Sequence, residues 1–457
     1  MTIQSRDHRQ QPVTDLHQLH AFLLAGARPP QQWGVGAEME KLVVDAETGE
    51  AASYQRIELL LEQLVGSRSW QPIHEQGRLI GLQGRDSSVT LEPGGQLELS
   101  GALCHDLYCC RGEFCRHVSD IVRAARPLGL LFLGLGVQPF SPLESIDWLP
   151  KPRYAVMRAY MEQTGDMGQN MMKQSAGLQV NLDFADEADC IDKLQVAQLL
   201  APVFYALFAN SPLLDGRPSG FLSTRGEIWS RTDRDRVGLI PRLFDEGADL
   251  HSYVDYALDV PMYFIARQGR LLDMTGERLT FRRYLAEGFA GFQAILADWD
   301  LHLSTLFPEV RLRPQIELRS ADSLPPGLTL SVAALAKGLL YDDAARAEIR
   351  KLFRQYDVAA LQEIYRQSWR LGLKTPVGRH SLGDVARQVL VLAREGLVRQ
   401  QRERNSRFDE TLFLDGIDEI AASGVTLAER LLGRWHGSRR QRLAALKAHC
   451  GFDHCGP

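Results

Sequence analysis

SVTLEPGGQLELS, residues 88–100, alternates on both sides of its Pro-Gly-Gly centre. Val89, Leu91, Leu97 and Leu99 fall on one face; Ser88, Thr90, Glu92, Gln96 and Glu98 fall on the other. Period two is the signature of strands with one apolar side. Pro93-Gly94-Gly95 reads as a turn or a bulge between them. The polar face carries two glutamates and no basic partner. It therefore meets either water or a cavity that needs carboxylates.

The same habit recurs along the chain. In GAEMEK (36–41), Gly36, Glu38 and Glu40 share a face. In LQVNLDF (178–184), Gln179, Asn181 and Asp183 oppose Leu178, Val180, Leu182 and Phe184. In RLRPQIELRSAD (311–322), read as one alternating strand, Gln315, Glu317 and Arg319 oppose Ile316 and Leu318. Residues 78–101 read as two or three antiparallel strands, 128–137 as a buried strand, and 259–273 as a hairpin across Gln268-Gly269. Helical spacing marks 54–65, 105–129 and 192–212, and from 327 onward nearly the whole chain, with segments near 327–340, 343–368, 381–402, 409–422 and 425–435. Hairpin-linked strands mixed with helices predict an α+β fold: an antiparallel sheet with one polar active-site face, backed by helices. No Gly-rich dinucleotide fingerprint or P-loop is present, so any nucleotide is bound by other means.

Carboxylates converging on one sheet face repel one another and are costly to bury unpaired. Divalent cations resolve both difficulties, and ligation by Glu, Asp and amide oxygen suits Mg²⁺ or Mn²⁺ rather than zinc. Mg²⁺ among carboxylates usually has phosphates completing its shell. A solvated face of an antiparallel sheet is the plain alternative for any one of these strands. Basic residues able to meet an anion lie at Arg319 and in SGFLSTRGEIWSRTDRDRVG (219–238), with Arg225, Arg231 and Arg236 as candidates and a charged surface loop as the alternative.

Length and composition set the outer bounds. The 457 residues are 45% hydrophobic and 24% charged, enough for a sizeable core. A net charge of −5 and the lack of a nucleic-acid-binding signature argue against a nucleic-acid partner. No apolar run is long enough to span a bilayer. Seven cysteines without disulfide spacing predict reduced thiols and a cytoplasmic protein. The division expected is a polar, frayed tail over 1–14, one catalytic domain over 15–435, and a basic helix with a mobile Cys/His tail over 436–457. Within the domain, the mixed sheet part reaches about residue 325 and the rest is mostly helical.

GAEMEK, TLEPGGQLELSG, PRYAVMRAYM, QVNLDF, ALFANSP, GFLSTRGEIW, DYALDVPMYF, LSTLFPEVRLR, IELRSAD and GLKTP occur in that order. In these motifs the chain resembles glutamate–cysteine ligase of the plant and proteobacterial type, over roughly 15–435. The resemblance implies a funnel-like antiparallel sheet related to glutamine synthetase. It implies small-molecule substrates, with ATP and two or more Mg²⁺ ions as requirements and a γ-glutamyl phosphate as intermediate. It further implies that Glu38, Glu40, Glu92, Glu98, Gln179 and Glu317 bind or line the metal site, and that Arg319 contacts ATP phosphate. By the same resemblance Arg225 holds the α-carboxylate of glutamate, which makes Arg225 and Arg319 the catalytic pair. Trp229, Arg153 and Tyr154 lie near the acceptor amino acid. Lys41 either meets phosphate or points to solvent.

The chain departs from the family pattern in three places. Met39 stands where histidine is common in GTEHEK. KQSAGLQVNLDF replaces a more usual RTCTVQVNLDF, altering Lys173, Ser175, Ala176 and Gly177, and Ser320 replaces a frequent glycine. The changes at 173–177 keep a second reading open: a carboxylate–amine ligase of the same fold that uses a different amine.

Overall fold

The computed structural model describes residues 9–66 and 70–455. Its centre is a nine-stranded sheet. In chain order the strands are β1 (Val35–Asp45), β2 (Gln71–Glu75), β3 (Arg78–Gln83), β4 (Ser88–Leu91), β5 (Leu97–Ser100), β6 (Leu130–Leu133), β7 (Gly177–Leu182), β8 (Val310–Leu312) and β9 (Ile316–Asp322). They lie side by side as β8-β9-β7-β1-β5-β4-β3-β2, with β6 paired to the second half of β1, and every pairing is antiparallel. This is the antiparallel sheet backed by helices that the alternation predicts.

The apolar side chains fix the register. Met39, Val89, Leu91, Leu97, Leu99, Leu178, Val180, Leu182, Ile316 and Leu318 are all buried. The helices Leu107–Ala125, Glu187–Leu207 and Thr329–Leu340 pack on the sheet. Each such aliphatic contributes about 2 kcal/mol by leaving water, and a one-residue slip would turn all of them outward. With that face fixed, the other becomes a polar row. Glu98 stands opposite Glu40, Gln179 opposite Glu38, and Glu317 between Asn181 and Arg311.

Pro93-Gly94-Gly95 forms the β4–β5 turn, closed by Glu92 N–H donating to Gln96 O at 2.9 Å. Gly94 passes so close to residue 173 that a Cβ there would sit 2.2 Å from Lys173 O. Gln96 Nε2 donates to Met172 O and Ser175 O, which ties the turn to the segment leading into β7.

Several expectations need correcting. Residues 311–322 are two strands rather than one: β8 and β9 form a hairpin around Pro314, which has no N–H for a ladder. The helical stretch 343–368 is two helices, Asp343–Phe353 and Val358–Leu371, the second capped by Asp357. The C-terminal segment is not a mobile tail. Helix Arg439–Cys450 buries Leu443, Leu446 and Cys450 against Leu42, Val44, Leu133 and Phe140, and Phe452 N–H donates to Phe132 O at 3.0 Å. At the other end, residues 1–8 lie outside the described residues, but Val13 N–H donates to Ala294 O and Leu296 N–H to Gln11 O, so 11–13 are not frayed. Nor are all thiols reduced. Cys104 pairs with Cys109 and Cys115 with Cys455, while Cys110, Cys190 and Cys450 are free and buried. The Cys115–Cys455 partners are 340 residues apart in sequence, so no spacing rule could reveal them.

Candidate functional site

The polar row floors a cavity of about 310 Å³. β1 supplies Glu38 and Glu40, the β4–β5 turn supplies Glu92, β5 supplies Glu98 and β7 supplies Gln179. Arg311, Arg313 and Arg319 come from the β8–β9 hairpin, so anionic and cationic groups face one space. Its remaining wall is mixed, with Met157, Met171, Trp229, Phe264 and Phe307 beside Ser175, Ser304 and Thr305. Arg153 sits exposed on helix Pro152–Thr164, and its buried neighbour Tyr154 shares the lining.

Three of the acidic groups on the floor are held by neutral donors. Asn181 Nδ2 donates to Glu38 Oε1 at 2.8 Å. Gly177 N–H donates to Glu40 Oε2 at 2.6 Å, and Gln179 Nε2 to Glu40 Oε1 at 2.7 Å. Thr90 Oγ1 donates to Glu98 Oε2 at 2.6 Å. Burial and the neighbouring carboxylates dominate the electrostatics. Burial raises Glu38, with Glu317 adding repulsion. Burial raises Glu40 to about 7, with Glu92 adding repulsion. Glu98 is pushed well up by burial and then by Glu38, Glu92 and Glu40.

Glu317 differs from the other glutamates in its partners, although its charge is the neighbouring one that most raises Glu38. Arg311 grips both its oxygens, and Arg319 Nη1 donates to Oε1 at 2.5 Å. Burial opposes its ionised form, but Arg311 and Arg319 outweigh burial and hold the carboxyl at about 2.

Lys41 must also be corrected. One position on from Glu40, it points to the opposite side of the strand, as alternation requires. There it is buried, donates from Nζ to Met39 O at 2.6 Å and lies 6.0 Å from the Phe452 ring centre. It meets neither the cavity nor solvent. Arg231 and Arg236 are elsewhere too. Arg231 pairs with Asp166 and Glu227, while Arg236 is locked by Asp233, Thr305 O and Pro261 O against the Tyr263 ring.

Arg225 lies just behind the lining. Helix Thr224–Ser230, capped by Ser223, carries it. It is 2% exposed, and its Nη2 donates to Arg319 O at 3.0 Å. The Trp229 ring lies 5.7 Å from the Arg225 guanidinium and 5.6 Å from that of Arg319. Among the described residues, Arg225 Nε and Nη1, Trp229 Nε1 and Gln179 Oε1 find no hydrogen-bond partner although buried. Orphaned buried donors and acceptors are costly, and these four lie at the cavity or just behind its lining.

The donor set fits a hard cation in kind: four glutamates, an unpartnered amide oxygen, and no nitrogen or sulfur ligand on the floor. The raised carboxyls of Glu38, Glu40 and Glu98 show how strongly this floor calls for a counter-charge. Among the described residues no three acidic, histidine or cysteine groups converge into a ready cation cage.

Sequence reasoning passed over Arg311 and Arg313. The signal was present in VRLR, where arginines alternate with Val310 and Leu312 beside the IELR strand.

Residues 34–446 match the sequence profile of glutamate-cysteine ligase family 2. The chain belongs to that family. It is accordingly a carboxylate–amine ligase by kinship. The chloroplastic glutamate–cysteine ligase of Brassica juncea is 40% identical over 422 residues, covering 92% of this chain and 80% of the relative. That of Arabidopsis thaliana is 40% identical, covering 92% and 79%. Ligase B of Oryza sativa subsp. japonica is 38% identical over 425 residues, covering 92% and 84%. Among solved structures, glutamate–cysteine ligase of Francisella tularensis in complex with AMP superposes with a TM-score of 0.55 at 13% identity, covering 91% of this chain and 88% of that one, a likeness of fold. These relatives also correct the expected cytoplasmic location, because the curated ligases are chloroplastic. Charge and cysteine count do not encode a compartment, and Cys104, Cys109, Cys115 and Cys455, read as reduced thiols, are paired in disulfides. No helix among the described residues is long and apolar enough to cross a membrane.

Proposed function

We propose that the protein joins the γ-carboxylate of glutamate to the amine of cysteine, with ATP as the phosphoryl donor and Mg²⁺ as the cation. Residues 15–435 act as the catalytic unit. The observation that carries this reading is a single cavity in which raised carboxyls face arginines and orphaned donors.

The chemistry requires activation first, because a carboxylate has no leaving group for an amine to displace. The γ-carboxylate oxygen attacks the γ-phosphorus of ATP, and ADP leaves. The amine then attacks the resulting acyl phosphate, loses a proton and releases phosphate, leaving the amide. In such transfers a protein mainly positions reactants and balances charge. Arg225, whose Nε and Nη1 lack acceptors, holds the α-carboxylate of glutamate. Trp229 Nε1 offers a third donor beside it. Arg319, fixed by Glu317, meets the transferring phosphoryl group, with Arg311 buttressing it from below. Arg153 and Tyr154 border the acceptor, against the methionine-lined wall. Glu38, Glu40, Glu92, Glu98 and the Gln179 amide oxygen hold Mg²⁺, which supplies charge neutralisation for the phosphates.

ADP release with each component omitted in turn tests the reading. Turnover should require ATP, Mg²⁺ and glutamate, and cysteine should accelerate it above every other amine. Faster turnover with a different amine, or ADP release independent of glutamate, would overturn it.

A further inference from the structure

We propose that Gly177 is a positioning residue for glutamate binding, because its missing side chain is the seat of the Arg225 guanidinium. This rests on the reading of Arg225 given above. β7 begins at Gly177, whose N–H donates to Glu40 Oε2 at 2.6 Å. A Cβ built on Gly177 would lie 2.5 Å from Arg225 Nη2, 2.8 Å from Cζ and 2.9 Å from Nε. All three separations are below any real carbon contact, and all three atoms belong to one guanidinium. The bare backbone of β7 is thus a flat bed on which that planar group rests.

The guanidinium cannot step aside freely. Arg225 is buried, its Nη2 is bonded to Arg319 O, and the Trp229 ring lies 5.7 Å away. A methyl group at 177 would push it off Arg319 O and re-aim Nε and Nη1, the two donors that have no partner. The backbone itself has no need of glycine: Gly177 is not among the residues with positive φ, so alanine is tolerated as part of a strand. Alanine also keeps the N–H that binds Glu40. The substitution therefore separates the two roles of the residue, leaving the metal-side contact intact and disturbing the arginine.

The second consequence concerns specificity. Gly177 couples the two halves of the floor through one peptide unit, its N–H to Glu40 and its vacant Cα face to Arg225. Displacement of Arg225 by about 1 Å is enough to break a charge-assisted hydrogen bond to a carboxylate, which is short and directional. The α-carboxylate site should loosen while the phosphate site keeps its affinity.

A double-mutant cycle tests this. Gly177→Ala, Arg225→Lys and the pair are purified, and KM for glutamate, KM for ATP and kcat are measured for each. Lysine's compact ammonium lacks the planar group that the added methyl would strike. We expect Gly177→Ala to raise KM for glutamate about tenfold in the otherwise wild-type enzyme and less than about twofold when combined with Arg225→Lys, with KM for ATP moving less than about twofold in both. Equal effects in the two backgrounds, or a rise in KM for ATP matching that for glutamate, would overturn the proposal. Should Gly177→Ala alone fail to fold, recovery of folded protein in the double variant supports the proposal, and failure of both overturns it. Arg225→Lys alone tests the underlying reading. If it leaves KM for glutamate unchanged, Arg225 does not hold glutamate; if it raises that KM and Gly177→Ala does not, only the role of Gly177 falls.

Discussion

Arg311 holds Glu317 through two parallel hydrogen bonds, Nε to Oε2 at 2.5 Å and Nη2 to Oε1 at 3.1 Å, from the directly opposite position of the same hairpin. Arg319 completes the triad on Oε1. Glu317 thereby bridges Arg319, which lines the cavity, to Arg311, whose Nη1 is held by Ser304 O and Leu306 O. Glu317→Gln should lower kcat/KM by about a hundredfold or more, because a buried arginine is left without its counter-charge. The pH signature follows from linkage. The folded carboxyl titrates at about 2 against 4.5 for the free group, so its stabilisation is complete above 4.5 and disappears as the pH falls toward 2. The stability difference between wild type and Glu317→Gln, measured by urea unfolding, should shrink across that window. A constant difference from pH 6 to pH 2 would contradict the assignment.

Glu98→Gln separates a metal site from an ordinary polar face. Without cations the Glu98 carboxyl is pushed up by burial and by Glu38, so its ionised form weakens the fold. Glu40 adds the same effect: the folded group holds its proton to about 7 and the unfolded one to 4.5, so metal-free stability should fall as pH rises through that interval. Glu98→Gln should leave the metal-free melting temperature at pH 8 equal or higher. It should abolish both turnover and the rise in melting temperature that Mg²⁺ with ATP gives the wild type. Retained Mg²⁺ stabilisation would remove Glu98 from the cation site.

The faces of the sheet were legible because period-two alternation survives in β1, β4, β5, β7 and β9, each with aliphatics on the buried side. That alone placed Glu38, Glu40, Glu98 and Gln179 on one floor. Lys41, expected at phosphate or in solvent, is instead turned to the opposite face by the same alternation, and its complete burial beside Phe452 depends on a segment more than 400 residues later. Glu317 looked like its fellow glutamates in sequence. Only the hairpin pairing brings Arg311 onto it. The docked C-terminal helix and the Cys115–Cys455 link were hidden for the same reason: both are contacts between distant parts of the chain, which local pattern does not encode.

Trp229 carries a buried indole N–H with no acceptor among the described residues, while its ring packs edge-on to Phe307 at 5.6 Å. Trp229→Phe keeps the apolar packing and removes only the donor. KM for glutamate or for the acceptor should rise about fivefold, the worth of one hydrogen bond, with the melting temperature unchanged. A lower melting temperature with unaltered KM would mean that the indole only packs.

The most direct measurement follows oxygen. Glutamate labelled with ¹⁸O in its γ-carboxylate is turned over with ATP, Mg²⁺ and cysteine, and the masses of phosphate and product are recorded. The account predicts one ¹⁸O in the released phosphate for each γ-glutamylcysteine formed, because the carboxylate oxygen becomes the bridge of the acyl phosphate. Unlabelled phosphate alongside product would contradict carboxylate activation in this cavity.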